Sequence, residues 1–159
     1  MIVNGPSITP QLLPSGSSGF KNIASLASID AGDVDSSLLV DGVVNSLYTN
    51  VETHEVYFED KTKVTFTFDS EVNIKAILVY DSADYFTSGE YYELSFAKDK
   101  VGKVYFNPTH KYIDEFGYEI KTPAAASIIQ FDNIKTTKVT LTFNEGISIS
   151  EIVIVGGEK

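Results

Sequence analysis

The stretch KVTFTFD, residues 63–69, places Val64, Phe66 and Phe68 at every second position with threonines between them. A period of two is typical of a β-strand that buries one face and exposes the other. KVTLTF at 138–143 repeats the pattern with a second apolar set. Two half-exposed strands need a common core, so the pair predicts a sheet that packs against another layer.

Other segments rich in β-branched and aromatic residues extend this pattern along the chain. They predict strands at 72–80, 91–97, 103–106, 127–131 and 147–155. Polar segments between the strands, including DNIKTT at 132–137, predict turns, and only SSLLVDGV at 36–43 predicts a helical turn or two. Seven or eight short strands without interleaved helices predict an all-β fold, an antiparallel β-sandwich.

The length of 159 residues fits one domain with a real core. Residues 1–19 hold three of the five prolines together with several glycines and serines, which predicts an extended lead-in or linker. Residues 20–159 are predicted to form the β-sandwich module. Met1 is interpreted as the start of a domain taken from a longer protein.

The charge and the composition exclude several classes of protein. The chain carries a net charge of −10, with 12 lysines and no arginine, so a nucleic-acid partner is not expected. Binding to an anionic membrane is not expected on this charge either, and no apolar run approaches the roughly 20 residues that span a bilayer. The absence of cysteine excludes disulfides, thiolate metal sites and a cysteine nucleophile.

One acid interrupts the apolar pattern of ISISEIVIV at 147–155. Glu151 shares its parity with Ile147, Ile149 and Val153, so a regular strand that buries those residues also buries the carboxylate. An unpaired buried carboxylate costs several kcal/mol, and without arginine its partner must be a lysine or a bound metal ion. The alternative is that Glu151 lies at a strand end or a bulge and reaches water.

A second acid stands in LLVDGVVNSLYTN at 38–50, where Asp41 precedes Gly42. Calcium takes about 6–8 oxygen ligands from carboxylates, hydroxyls and backbone carbonyls, and a short irregular loop can supply them at close spacing. The motif therefore suggests a site for a hard cation. The alternative interpretation of Asp-Gly is a plain turn.

Three segments together resemble a known family. NIASLAS at 22–28, LLVDGVVNSLY at 38–48 and ISISEIVIVG at 147–156 are similar to the discoidin or coagulation-factor type C domains and to the family 32 carbohydrate-binding modules. The resemblance implies a galactose-binding-like jelly roll with a structural calcium. The implied shell comprises side-chain oxygens of Asp41, Ser46 and Glu151 and backbone carbonyls of Leu38, Val43 and Ser150.

The resemblance also implies a glycan partner, bound by loops at one end of the sandwich. An exposed aromatic ring can stack on the apolar face of a sugar while neighbouring polar groups bond its hydroxyls. The candidate ligand-binding residues are His54, Tyr57, Tyr85, Phe86, His110 and Tyr112. The alternative is that these aromatic side chains only cover the ends of the sandwich.

The implied function is a non-catalytic carbohydrate-binding module within a larger secreted or cell-surface protein, such as a glycoside hydrolase or an adhesin. We expect a monomeric module that works beside other domains of the same chain. A structural or protein-binding sandwich without a sugar site is the alternative. An enzyme is not predicted, because the chain has no Gly-x-Ser-x-Gly motif and its acid pairs, such as Asp81 with Asp84, fall in solvent-like loops.

Overall fold

The computed structural model describes residues 20–43, 54–81, 90–106, 111–113, 115–117, 119–121 and 126–158. The predicted lead-in at 1–19 lies outside these residues. So do four of the predicted site residues, namely Ser46, Tyr85, Phe86 and His110.

The described residues form an all-β structure with two short 3₁₀ helices at Ala24–Leu26 and Ser36–Leu39. The strands are β1 (Lys21–Asn22), β2 (Ser28–Asp30), β3 (Val56–Phe58), β4 (Thr62–Asp81), β5 (Tyr91–Phe96), β6 (Lys100–Tyr105), β7 (Lys111–Ile113), β8 (Glu119–Lys121), β9 (Ala126–Phe143) and β10 (Ile147–Glu158). All pairings between them are antiparallel. The predicted all-β fold is confirmed, and the predicted helical turn at 36–43 is the second 3₁₀ helix.

Eight of the described strands form one hydrogen-bonded network in the order β1-β10-β4-β9-β5-β6, with β2 beside β4 and β3 beside β10. The strands β7 and β8 form a separate two-stranded ribbon. In the long strands β4 and β9, register shifts divide the β4–β9 ladder between Thr67 and Val72 and again between Ile74 and Ala76. Such irregularities bend a strand and increase its twist, which allows each of these long strands to run through more than one part of the sandwich.

The prediction of a turn at 132–137 is wrong, because β9 continues through this segment. The Thr136 hydroxyl accepts hydrogen bonds from the amides of Ala97 and Lys138 and donates to the Lys138 carbonyl. A polar side chain therefore satisfies backbone groups that an irregular ladder leaves open. Two predicted strands on either side of it become one strand.

The core confirms the predicted alternation in both threonine-rich segments. Val64 and Phe66 are fully buried and Phe68 is 6% exposed, while the threonines between them face outward. Phe143 of β9 stacks on Phe58 with ring centroids 4.9 Å apart. These aromatic contacts join β3 to β9 across the interior and fix the spacing of the core.

The two ends of the described chain lie side by side. Lys21 of β1 pairs with Gly156 near the end of β10. The Asn22 side-chain oxygen accepts hydrogen bonds from the amides of Ala24 and Ile154. A Cβ atom at Gly156 would overlap the carbonyl of Asn73, so this close approach of β10 to β4 requires glycine. None of the helices within the described ranges is long and apolar enough to cross a membrane.

Candidate functional site

A bulge in β10 determines where Glu151 points. Ile149 pairs with Asp81, but Glu151 pairs with Tyr80, so Ser150 is an extra residue without a partner in the register. Ile147 and Ile149 before the bulge belong to the same core cluster as Ile152 and Ile154 after it. The predicted parity is therefore wrong, because the bulge reverses the alternation and puts Glu151 on the opposite face of β10 from Ile149.

Glu151 is nevertheless only 2% exposed. The pKa of its carboxyl group is raised from 4.5 to about 9, and burial is the largest cause of this shift. The neighbouring Asp41 carboxyl group also contributes to the rise in pKa, whereas hydrogen bonds from the backbone amides of Gly42 and Asp41 oppose it. The bulge thus does not bring the acid to water, as the alternative interpretation required.

The loop after the second 3₁₀ helix holds both acids through backbone amides. The Gly42 amide donates to Glu151 Oε2 at 3.0 Å, and the Val43 amide donates to Asp41 Oδ1 at 2.9 Å. Gly42 has φ +82, a left-handed conformation in which a side chain would be strained. Leu39, just before the loop, is fully buried and fixes this loop to the core. The structure therefore places the Asp-Gly loop against the last strand, 109 residues away from Gly42 in the chain.

His54 lies at this loop rather than apart from it. Its Nδ1 atom is 3.0 Å from Asp41 Oδ2, and both side chains are partly exposed. This contact occupies the second oxygen of Asp41 and orients its carboxylate. His54, predicted to bind sugar, thus belongs to the same cluster as the two predicted calcium ligands.

Unsatisfied polar atoms mark the interior side of the cluster. Glu151 Oε1 is buried and has no hydrogen-bond donor within the described chain. The hydroxyl of Tyr80, whose residue pairs with Glu151, is also buried without a partner in the described part. Two adjacent carboxyl groups need a shared proton or a cation between them, because their like charges repel. The donor set and the open oxygen therefore fit a hard cation such as calcium.

Protein side chains alone do not complete such a site. Among the described residues no lysine forms an ion pair with Glu151, which removes the lysine alternative for that part of the chain. No group of three or more acidic, histidine or cysteine side chains within the described ranges could hold a metal ion. A calcium shell at this position would therefore depend on backbone carbonyls and hydroxyls in addition to Asp41 and Glu151.

The remaining predicted calcium ligands differ in what the structure shows of them. Leu38 lies in the second 3₁₀ helix, which packs against β10, and Val43 lies in the loop itself. Ser150 is the bulged residue, whose side chain donates to the Tyr80 carbonyl at 3.4 Å. Ser46 falls outside the described residues.

Tyr57 is placed where a ligand could reach it. Its side chain is 54% exposed on β3, beside a cleft of about 610 Å³. The cleft lies between the turn after β2 and the connection from β3 to β4, and its charged lining residues are Asp30, Asp33, Glu59, Asp60, Lys61 and Lys63. Sequence reasoning missed these charged residues, because no motif links 30–34 with 57–63. Only the fold brings the two segments together.

No contact of the described residues brings Tyr112 to this cleft. Tyr112 lies in β7 and pairs with Ile120 of β8 in the separate two-stranded ribbon. Tyr85, Phe86 and His110 fall outside the described residues, so their part in ligand binding stays a prediction.

No family model and no curated protein matches the chain. Solved structures resemble it over most of its length. A CBM32 domain of Clostridium perfringens has a TM-score of 0.54 at 22% identity, covering 86% of this chain and 100% of its own. The family 32 module of NanJ from the same organism, solved in complex with galactose, has a TM-score of 0.56 at 13% identity, covering 86% of this chain and 98% of its own.

A fucose-binding module of Streptococcus pneumoniae gives a similar result. Its TM-score is 0.52 at 18% identity, and the match covers 84% of this chain and 96% of the module. All three proteins are carbohydrate-binding modules, as the resemblance in the sequence implied. The described chain therefore has the galactose-binding-like β-sandwich fold of the family 32 carbohydrate-binding modules.

Proposed function

We propose that this chain is a non-catalytic carbohydrate-binding module with a structural calcium ion. The observation that carries the proposal is the exposed Tyr57 ring beside a cleft lined by acids and lysines, on a fold that known sugar-binding modules share. Loops on a rigid sheet are the usual place for variable recognition. The proposal includes an extracellular or cell-surface location and a parent chain with further domains.

The chemistry of the cleft suits a sugar. The flat face of Tyr57 provides an apolar surface for the C–H face of a pyranose ring. Asp30, Asp33 and Asp60 can accept hydrogen bonds from sugar hydroxyls, and Lys61 can donate them. Such a site binds and orients a glycan, and it needs no reacting group.

Tyr57→Ala is expected to weaken glycan binding about five- to tenfold. Removal of the ring takes away a stacking contact of about 1–1.5 kcal/mol, while the sheet that carries it is unchanged. A glycan array first identifies a ligand for the wild-type domain, and isothermal titration calorimetry then compares the two proteins. Phe116→Ala is the matched control, because Phe116 is also an exposed aromatic residue, at 76%, and does not line the Tyr57 cleft.

The outcome of that comparison separates the two candidate functions. Equal affinities of the wild type and the Tyr57 variant would place the sugar elsewhere. Failure of the wild type to bind any neutral or charged glycan would instead favour a structural or protein-binding sandwich. The absence of arginine and tryptophan already leaves that second function open.

The proposed calcium ion joins the Asp-Gly loop to β10, the last strand. Asp41 and Glu151 supply the carboxylates, Ser46 a hydroxyl, and Leu38, Val43 and Ser150 the backbone carbonyls. The buried Oε1 atom of Glu151, which has no hydrogen-bond partner among the described residues, supports this assignment. The ion would neutralise two neighbouring acids and hold the Asp-Gly loop, so its contribution is to stability rather than to chemistry.

Calcium is expected to raise the melting temperature of the domain, and chelation is expected to lower it reversibly. For a site of ~0.1 mM affinity in ~1 mM calcium, ligand linkage gives about 1.4 kcal/mol, or about 3–6 °C for a domain of this size. Differential scanning calorimetry with calcium, with magnesium and with EDTA measures the shift. A melting temperature that is the same under all three conditions would contradict the proposal.

A further inference from the structure

The outer face of the threonine-rich strands carries a second group of binding residues. A shallow depression of about 430 Å³ lies here. Its lysine, glutamate and hydroxyl-bearing lining residues are Lys63, Thr65, Glu93, Ser95, Lys100, Lys138, Thr140 and Thr142. We call this group the lysine–hydroxyl face. It lies on the opposite side of the sheet from Phe66 and Leu141, which point into the core.

The strand register arranges these side chains in rows. Thr65 of β4 pairs with Thr140 of β9, which in turn pairs with Ser95 of β5. The register continues to Lys100 of β6, so three hydroxyl groups and one ammonium group follow each other across four strands. Neighbouring strands are about 4.8 Å apart, and the row therefore extends for about 14 Å. A linear chain of hydroxyl-bearing units could follow it.

The charge of this face is opposite to that of the whole chain. Within a protein of net charge −10, the lysine–hydroxyl face holds three of the 12 lysines, and Lys103 borders it on β6. The one acid in this group is Glu93, and its Oε1 atom is 3.9 Å from Lys61 Nζ. No described acid forms an ion pair with Lys63, Lys100 or Lys138. Their ammonium groups are thus available to an anionic ligand.

An aromatic pair lies at one end of the face. Tyr91 of β5 pairs with Tyr105 of β6, and their ring centroids are 5.5 Å apart in an edge arrangement. Lys103 Nζ is 4.5 Å from the centroid of the Tyr91 ring, which holds this lysine beside the aromatic surface. Tyr105 is 59% exposed and can stack on a sugar ring.

We propose that the lysine–hydroxyl face binds an acidic polysaccharide, with carboxylate or sulfate groups on the lysines and sugar hydroxyls on the threonine and serine row. The Tyr91–Tyr105 pair receives one sugar ring. A nucleic acid would meet the same lysines, but no arginine is present for bidentate contacts with its phosphates. Charge complementarity together with the hydroxyl row therefore selects a glycan.

This second site adjoins the Tyr57 cleft but does not depend on it. Lys63 lines both places, and Asp30, which lines the cleft, pairs with Thr65 at the edge of the hydroxyl row. Lys100 and Lys138 line the lysine–hydroxyl face without lining the Tyr57 cleft. Substitutions at these two lysines thus test the face separately from the proposed loop site.

The test measures binding of polygalacturonate and dextran sulfate, with uncharged dextran as the neutral probe. Affinity gel electrophoresis and calorimetry at low ionic strength compare the wild type with Lys100→Gln/Lys138→Gln. We expect the double variant to bind the preferred acidic polymer about tenfold more weakly, because two ion contacts are lost. Binding of the wild type should weaken as salt is added, since exposed charges are screened.

Lys21→Gln/Lys135→Gln is the matched control, with the same net charge and two exposed lysines removed from other surfaces. It should bind the acidic polymer like the wild type. Preference for polygalacturonate or for dextran sulfate distinguishes carboxylated from sulfated ligands, and either supports the inference. Equal loss in both double variants, or no binding of either acidic polymer, would overturn it.

Discussion

Glu151→Gln is expected to stabilise the calcium-free domain by about 1–3 kcal/mol at pH 7 and to abolish its response to calcium. Glutamine keeps the size of the side chain and carries no charge, so it resembles the protonated acid. A single substitution should therefore stabilise the calcium-free protein and remove the additional stability that calcium gives to the wild type.

The expected gain follows from the sign of the pKa shift. The pKa of Glu151 is about 9 in the folded domain against 4.5 for the ordinary group, because burial and Asp41 oppose ionisation. Between these values the folded state binds more protons than the unfolded state. The free energy of unfolding of the calcium-free wild type should then fall as the pH rises from about 4.5 towards 9. Glutamine does not titrate, so the Glu151→Gln variant should lack this part of the pH dependence.

Urea denaturation at several pH values, with EDTA or with calcium, measures both effects. Glu93→Gln is the matched control, because it removes a partly exposed carboxylate of the same kind from the sheet surface. The control should keep the wild-type pH dependence and the wild-type calcium response. Calcium that stabilises the Glu151→Gln variant as much as the wild type would exclude Glu151 as a ligand.

Leu141→Ala is expected to lower the free energy of unfolding by about 2–5 kcal/mol. Leu141 is fully buried in β9 between Val64 of β4 and Leu94 of β5, its partners in the register. Truncation leaves a cavity in the centre of the sheet that close-packed neighbours cannot fill. The loss should appear as a lower midpoint in urea with an unchanged slope.

Leu26→Ala provides the control for this substitution. The same atoms are removed, but Leu26 is 64% exposed in the first 3₁₀ helix, so we expect a change within about 0.5 kcal/mol. Similar losses in the two variants would mean that burial at Leu141 does not determine stability. The comparison therefore tests the core directly.

The sequence predicted the core strands well because their alternation is a local property. Val64 and Phe66 are buried and the adjacent threonines face outward, as a period of two requires. The long strands were harder to predict, since DNIKTT at 132–137 has the composition of a turn but continues β9. Hydrogen bonds of the Thr136 hydroxyl to residues close in the chain and in a neighbouring segment stabilise this extended conformation. Which residues provide these hydrogen-bond partners depends on the fold, so the composition of the segment does not reveal them.

The orientation of Glu151 could not be predicted from parity. The bulge at Ser150 reverses the alternation, and no glycine or proline marks it in the sequence. The resemblance to a known family did place the Asp41 loop and Glu151 together, and the hydrogen bond from Gly42 to Glu151 shows the two segments in contact. The metal ion itself stays a prediction.

For the predicted ligand residues too, the sequence shows the type of side chain, whereas its contacts depend on the tertiary structure. An aromatic residue in a predicted loop was enough to select Tyr57, which is exposed beside a cleft. It was also enough to select His54, which contacts Asp41 of the Asp-Gly loop. Exposure and contacts are set by packing, so the sequence alone could not predict the different surroundings of these two side chains.

The pairing of β1 with the end of β10 determines how the domain responds to mechanical force. A tensile load applied at residues 20 and 158 pulls Lys21 and Gly156 apart roughly along their interstrand hydrogen bonds. The hydrogen bonds of this short ladder are then loaded one after another rather than all at once. Stretching the domain from these points should therefore detach β1 at low force, before the core strands are strained.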